Sequence, residues 1–267
     1  MIKTVAVIGC GWLGLPLAKS LVLDGYDIHG TTTSEVKLGI LQNEGIVPFL
    51  ISLSEDKLVG DITGFLSGVE TLVINVPPRL RGGNKENYVK KMQLLLESVK
   101  SAKIKKVLFV SSTSVYGNIE GEITEETIPQ PSTESGKQLL ASEDLFKSSS
   151  KLRTTIIRFG GLIGPGRHPV TLLSGRKGLT NGNAVINLIH LEDCIGIIRA
   201  IIQNEWWDEL FNGVYPFHPT KQEYYAFEAQ KRGLTKPEYS NTGINSGKKI
   251  TPRRLIHVKK YRFNTPI

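Results

Sequence analysis

The sequence predicts a doubly wound α/β fold built on a parallel sheet, and three observations predict it. Apolar runs rich in β-branched residues alternate with longer helical patterns through the first 160 residues, the signature of βαβ units. A glycine-rich turn, Gly9-Cys-Gly-Trp-Leu-Gly14, separates the first apolar run from the first helical pattern. With 267 residues, 40% of them hydrophobic and 22% charged, the chain can bury a full core in one large domain or in one domain with an appendage.

Taken in order, residues 5–9 form the first strand, and 13–23 form a helix opened by the glycine turn. Residues 26–31 read as the second strand, 35–43 as a short helix, 46–51 as the third strand and 71–76 as the fourth. The stretch 86–102 places Val89, Met92, Leu95, Leu96 and Val99 on one face of a helix. Residues 106–111 then form a buried strand, and an acidic, proline-containing loop leads to a helix over 134–147 and a strand over 154–159. Beyond that point Gly160-Gly-Leu-Ile-Gly-Pro-Gly166, Gly175, Gly178 and Gly182 break the pattern. Shorter elements follow: a strand at 184–189, a helix at 191–202, a strand near 211–214 and a helix at 221–232. The expected organisation is a nucleotide-binding domain over 1–160. Residues 161–267 form mainly a small, discontinuous substrate lobe, some of whose segments return to the first domain.

Several function classes are set aside on composition. The apolar stretches at 107–110 and at 195–202, the latter holding Gly196 and Arg199, fall far short of the roughly 20 residues a membrane span needs. The start runs directly into a strand with no export segment, and Cys10 and Cys194 stand far apart with no CxxC pair, so a reducing cytoplasm is expected. The five histidines show no i,i+3 or i,i+4 pairing, so no metal site is expected. The formal charge of +8 is concentrated in residues 248–267, which hold seven basic residues and no acidic one; the remainder carries 26 basic against 25 acidic residues. A solvated terminal face, rather than a nucleic-acid partner, is the expected meaning.

The glycine turn carries the most chemistry. Gly9 permits the tight turn, Gly11 lets a pyrophosphate approach the backbone, and Gly14 lets helix pack on strand. The anion sits at the helix N-terminus, beside the backbone N–H groups of Trp12 and Leu13. These features make the predicted fold Rossmann-type. At the end of the second strand, where NAD enzymes place a carboxylate for the ribose, the chain has Thr31, Thr32, Thr33 and Ser34, with Lys37 nearby. Those hydroxyls tolerate a 2′-phosphate, which favours NADP over NAD. Asp27, at the start of that strand, reads as a turn-side residue.

Four segments together resemble the extended epimerase/dehydratase branch of the short-chain dehydrogenase/reductase superfamily. They are the glycine loop, Val110-Ser-Ser-Thr-Ser-Val-Tyr-Gly117, Arg158-Phe-Gly-Gly-Leu-Ile-Gly-Pro-Gly166 and Ile189-His-Leu-Glu-Asp193. Trp12-Leu-Gly-Leu-Pro16 and Asn75-Val-Pro-Pro78 are similar to an atypical subgroup of that branch. The resemblance implies cofactor contacts at Asn75, Val76 and Pro77, and a nicotinamide end near Phe159, Gly160 and Gly161. It also implies a catalytic set in which Ser112 orients the substrate oxygen and Lys137 reaches the nicotinamide ribose, while His190 supports the substrate lobe. Four residues before that lysine, where the family has the tyrosine acid, this chain has Thr133. An alcohol cannot supply a phenol's proton at neutral pH.

Three readings stay open: Tyr116 or another group supplies the proton, the chemistry differs, or the protein binds the nucleotide without turnover. Tyr116 reads as a packing residue of its turn, Cys10 as a small buried thiol and Asp193 as a helix cap. Arg79, Arg81 and Arg167 are loop cations suited to an anionic substrate or a cofactor phosphate. The expected function is therefore an NAD(P)-dependent oxidoreductase or epimerase acting on a carbonyl or hydroxyl group of a small molecule. The alternative is a catalytically silent dinucleotide-binding or redox-sensing protein. Charged outer positions on the helices at 86–102 and 134–147 predict a monomer or weak homodimer.

Overall fold

A computed structural model describes residues 3–78, 80, 86–240 and 247–267. Arg79 and Arg81 lie outside the described residues. Seven parallel strands form the central sheet: β1 (Thr4–Ile8), β2 (Asp27–Thr32), β3 (Ile46–Leu50), β4 (Thr71–Ile74), β5 (Lys106–Ser112), β6 (Arg153–Phe159) and β7 (Leu210–Gly213). Their order is β7-β6-β5-β4-β1-β2-β3. The chain steps outward from β1 to β3, crosses to β4 on the other side of β1, and steps outward again. Val5 to Ile8 pair with Thr71 to Ile74 at the reversal, where the connections from β1 and β4 leave the sheet in opposite directions, the place at which doubly wound sheets have a crevice outside the carboxyl ends of the strands.

The inner strands β1, β4, β5 and β6 are buried on both faces along most of their length, which is why they read as continuous apolar runs. On one face lie α1 (Gly14–Leu23) and α7 (Leu191–Gln203), whose Leu17, Leu21, Ile197, Ile198 and Ile201 pack with Val5, Val7 and Ile157. On the other lie α4 (Tyr88–Ser101) and α5 (Glu134–Lys147), whose Met92, Leu95, Val99, Leu139 and Phe146 pack with Leu72, Ile74 and Phe109. A third cluster, of Ile163, Val170, Ile186, Leu188, Tyr224, Tyr225 and Ala229, is contributed entirely by residues beyond Gly161. β7 nevertheless returns to the sheet beside β6.

The expected strand at 184–189 is shorter than its apolar run suggests. Only Leu188–His190 is strand, paired in parallel with Gly161–Ile163. Upstream, Ile186 N–H donates to Pro219 O and Ala184 O accepts from Lys221 N–H, so the loop before the helix Lys221–Lys231 takes the backbone groups a ladder would have used. The basic terminal segment is also less free than expected. Lys259 meets Glu209 at 2.7 Å, and Arg254 lies 3.6 Å from Glu209 and 3.7 Å from Glu126. Lys248 Nζ donates to the carbonyls of Gly117, at 2.7 Å, and Thr113, at 3.2 Å. Part of the positive charge thus fastens the segment to the body.

Candidate dinucleotide and active site

The glycine turn sits at the carboxyl end of β1 and is held from both sides. Gly9, at φ +98°, donates its N–H to Thr31 Oγ1 at 2.9 Å, and its carbonyl accepts from Asn75 Nδ2 at 3.1 Å. A Cβ on Gly9 would stand 2.6 Å from Asn75 O, and one on Gly14 would stand 2.1 Å from Gly9 O. Packing and backbone conformation therefore explain both glycines. Gly11 is different, because a Cβ there would meet nothing within 4 Å and its backbone needs no positive φ. Beside it, the N–H groups of Trp12, Leu13 and Gly14 find no acceptor among the described residues. This open space in front of unpaired N–H groups at a helix N-terminus fits a pyrophosphate.

The predicted contacts separate once placed. Thr31 is buried and supports Gly9, and Thr32 is buried and accepts from Ser34 N–H, so neither hydroxyl faces the crevice rim. Thr33 and Lys37 are exposed and Ser34 is half-buried. Glu35, the exposed residue preceding α2 (Val36–Asn43), is a carboxylate at the end of β2 that the sequence reading passed over. Asn75 is engaged with Gly9, and Val76 O accepts from the buried Tyr88 hydroxyl at 2.7 Å, while Pro77 is exposed. Phe159 is buried against Gly213, where a Cβ would clash with its ring. Gly160 and Gly161 donate to Gly213 O and Asn187 O, so they too are explained by packing. Cys10 is buried, which pushes its thiol pKa up to about 12.

Ser112 ends β5, and its Oγ accepts from Ser114 N–H at 3.1 Å, capping the 3₁₀ turn Thr113–Tyr116. The first turn of α5 rests on this turn: a Cβ on Gly136 would stand 2.9 Å from Ser114 O. That close approach sets the first turn of α5, which carries Thr133 and Lys137, against the turn that Ser112 caps. Thr133 is the N-cap of α5, its Oγ1 accepting from Gly136 N–H at 3.1 Å, and Lys137 is exposed. Threonine suits a cap, whereas a tyrosine would leave that N–H unpaired. Tyr116 is fully buried, with its hydroxyl donating to Asn212 Oδ1 at 2.8 Å, so it cannot reach a substrate in the crevice.

Behind Ser112 lies a buried ionic cluster that the sequence reading did not assemble. Arg158 Nε stands 3.1 Å from both carboxylate oxygens of Glu143, Ser111 donates to Oε1 of the same group, and the guanidinium lies 4.9 Å over the Tyr116 ring. A charge within the apolar strand Ile156-Ile-Arg-Phe159 was the signal that a buried partner existed. On the sheet face that carries α7, His190 rather than Asp193 caps that helix, its Nδ1 accepting from Glu192 N–H. Asp193 instead accepts from the N–H groups of Asn264 and Thr265, holding the terminal segment. Among the described residues no group of three or more metal-ligating side chains is placed to hold an ion, and no helix is long and apolar enough to cross a membrane.

The profile of the NAD dependent epimerase/dehydratase family matches residues 81–212. The chain is 36% identical over 267 residues to Protein YeeZ of Escherichia coli strain K12, covering 99% of this chain and 97% of that one. It is 25% identical over 228 residues to the uncharacterized UDP-glucose epimerase YtcB of Bacillus subtilis, covering 75% of this chain and 72% of the relative. Among solved structures, the UDP-glucuronic acid 4-epimerase from Bacillus cereus in complex with NAD superposes with a TM-score of 0.80 at 18% identity, covering 99% and 92% of the two chains.

Proposed function

Because the chain belongs to the NAD-dependent epimerase/dehydratase family, we propose that it binds NAD(P) across the carboxyl ends of β1 and β4 and acts on a carbonyl or hydroxyl group of a small-molecule substrate. The observation that carries this reading is Gly11, a glycine that neither packing nor φ requires, facing open space beside three N–H groups that find no acceptor among the described residues. The nicotinamide, when bound, supplies or accepts the hydride. Ser112 Oγ orients the substrate oxygen, and Lys137, on the turn of α5 that rests beside it, reaches the nicotinamide ribose. The chain divides functionally near residue 160, the later lobe closing over the substrate.

The adenosine end lies at Thr33, Ser34, Glu35 and Lys37. The hydroxyls and Lys37 accept a 2′-phosphate while Glu35 opposes it, so the net preference is for NADP and is small; NAD is the bound dinucleotide in the Bacillus cereus enzyme. Apart from Ala141, charged or polar groups occupy the exposed positions of α4 and α5, namely Lys90, Gln93, Glu97, Lys100, Ser101, Glu134, Lys137, Asp144 and Lys147. A helix pair with such a surface supports a monomer or weak dimer.

A second reading, dinucleotide binding without turnover, is favoured by one observation. Of the two hydroxyls considered as stand-ins for the phenol, that of Thr133 caps α5 and that of Tyr116 is buried against Asn212. Titration of the purified protein with NADP and NAD, followed by a panel of carbonyl and sugar-nucleotide substrates monitored at the nicotinamide absorbance, tests both. Tight binding with turnover that Ser112→Ala abolishes supports the enzyme. Binding with no turnover on any of them supports the silent binder.

A further inference from the structure

We infer that Arg167 is a ligand of the dinucleotide pyrophosphate, carried across the glycine loop by a strap from the outer lobe; this rests on the dinucleotide reading above. Gly164 and Arg167 exchange backbone hydrogen bonds of 2.9 and 3.0 Å, which closes residues 164–167 into a tight turn. That turn lies on Trp12. The indole Nε1 donates to Pro165 O at 3.0 Å, and Gly164, at φ +154°, approaches so closely that a Cβ would stand 3.1 Å from the indole ring. The Arg167 guanidinium stacks on the same indole, 4.9 Å from its centroid. A cation held over an aromatic face in this way has its position fixed while its N–H fork stays free.

The counter-charge is what the arrangement lacks. Among the described residues no carboxylate lies within ion-pair distance of Arg167, as is also true of Arg176 and Arg262; Arg167 alone of the three is stacked on a residue of the glycine turn. Trp12 belongs to the turn in which its own N–H and those of Leu13 and Gly14 find no acceptor among the described residues, and the open space at Gly11 adjoins it. A cation and a set of N–H donors, brought together from separate parts of the chain and both unpaired, call for an anion shared between them. A pyrophosphate has that chemistry whether it comes from the cofactor or from a nucleoside-diphosphate substrate. Because Trp12 lies within the glycine turn itself, the cofactor is the source assigned here. Binding then ties the outer lobe to the sheet through one residue, so the strap closes on a filled cofactor site.

The test compares wild type with Arg167→Gln, Arg167→Lys and Trp12→Ala, titrated with NADP, NAD, ADP, UDP and adenosine at low and high salt. Arg167 is exposed on its turn, so equal melting temperatures without ligand confirm that its variants fold. The expected result is a loss of about tenfold in dinucleotide and ADP affinity for Arg167→Gln, the order of one charge-assisted hydrogen bond. Arg167→Lys recovers part of that loss, Trp12→Ala shows a similar loss, adenosine is unaffected, and the wild-type advantage shrinks with salt. Unchanged dinucleotide affinity in Arg167→Gln, with wild type binding normally, overturns the assignment of Arg167 alone. A loss seen with UDP but not ADP overturns it in favour of the substrate. Failure of wild type to bind any dinucleotide overturns both this inference and the reading beneath it.

Discussion

Replacing Glu143 by glutamine removes one charge from a site where no water can compensate. Glu143 is 1% and Arg158 4% exposed at their side chains, and the guanidinium contacts both carboxylate oxygens. Two opposite charges at such a distance attract by about 4 kcal/mol at the effective dielectric suited to protein sites. Leaving one partner of a buried pair alone typically costs about 3–5 kcal/mol, because the survivor stays desolvated. Glutamine preserves the volume and can still accept from Ser111, so the loss isolates the charge. For a chain of 267 residues, where each kcal/mol lowers the melting temperature by about 2–4 °C, the variant should melt about 6–20 °C lower. Urea unfolding should show the midpoint moving with an unchanged slope. The double variant Glu143→Met with Arg158→Met should regain more than half of the loss, since a matched apolar pair needs no counter-charge. A single-variant loss under about 1 kcal/mol, or a double variant worse than Glu143→Gln, would refute the claim that this pair is energetically coupled.

Thr133→Ala should destabilise the protein by about 1 kcal/mol through the lost α5 cap while leaving dinucleotide affinity unchanged; thermal melts and titration check this together. Thr133→Tyr should raise turnover on a carbonyl substrate by up to about 10² to 10⁴, the usual worth of a positioned acid; no gain on any substrate that wild type turns over would contradict the family alignment at this position. His168 is held neutral, its pKa lowered from 6.5 to about 4 by burial and then by the Arg232 charge. Its neutral Nδ1 accepts from Val170 N–H, and Nε2 lies 3.0 Å from the Tyr224 hydroxyl. The unfolded chain takes up that proton first, so this contribution is present above pH 6.5 and is lost as pH falls toward about 4. His168→Asn should flatten the stability profile in that window, as measured by urea midpoints against pH, and an unchanged profile would count against it. Sedimentation velocity at micromolar concentration should show a monomer or weak dimer; a tight dimer would contradict the reading of the α4 and α5 surfaces.

How far the sequence could be read depended on whether the relevant partners were local. The strands of the central sheet and the longer helices in the first 160 residues were legible because each βαβ unit announces itself by its own periodicity, and α5 began and ended where its pattern did. The pairing of Gly121–Ile123 with Lys248–Ile250 was not, because two three-residue strands from distant parts of the chain carry no periodic signal. The five-residue helix Ile62–Leu66 depends on Asp61, whose side chain caps it at Gly64 N–H, and is too short to show a stripe. In the site, motif spacing pointed to the glycine turn, Ser112 and Lys137 as candidates but could not show which groups were already occupied. Thr31 looked like a ribose contact and turned out to brace Gly9. Gly160 and Gly161 looked like cofactor contacts, yet a side chain at Gly160 would strike the Asn187 carbonyl and one at Gly161 would strike the Leu188 side chain. Gly136 and the Glu143–Arg158 pair act through contacts across the fold, and only the placement of the elements reveals them.

The claim on which the account turns is that Gly11 is kept free for a dinucleotide, and Gly11→Asp measures it most directly. A side chain at Gly11 meets nothing in the protein, so the variant should lose little stability without ligand, within about 1 kcal/mol of wild type. Calorimetric titration should show wild type binding NADP, with NAD weaker, and Gly11→Asp binding neither, because a carboxylate would fill the space and repel the pyrophosphate. Equal dinucleotide affinity in the folded variant, or no binding by wild type, would contradict the account.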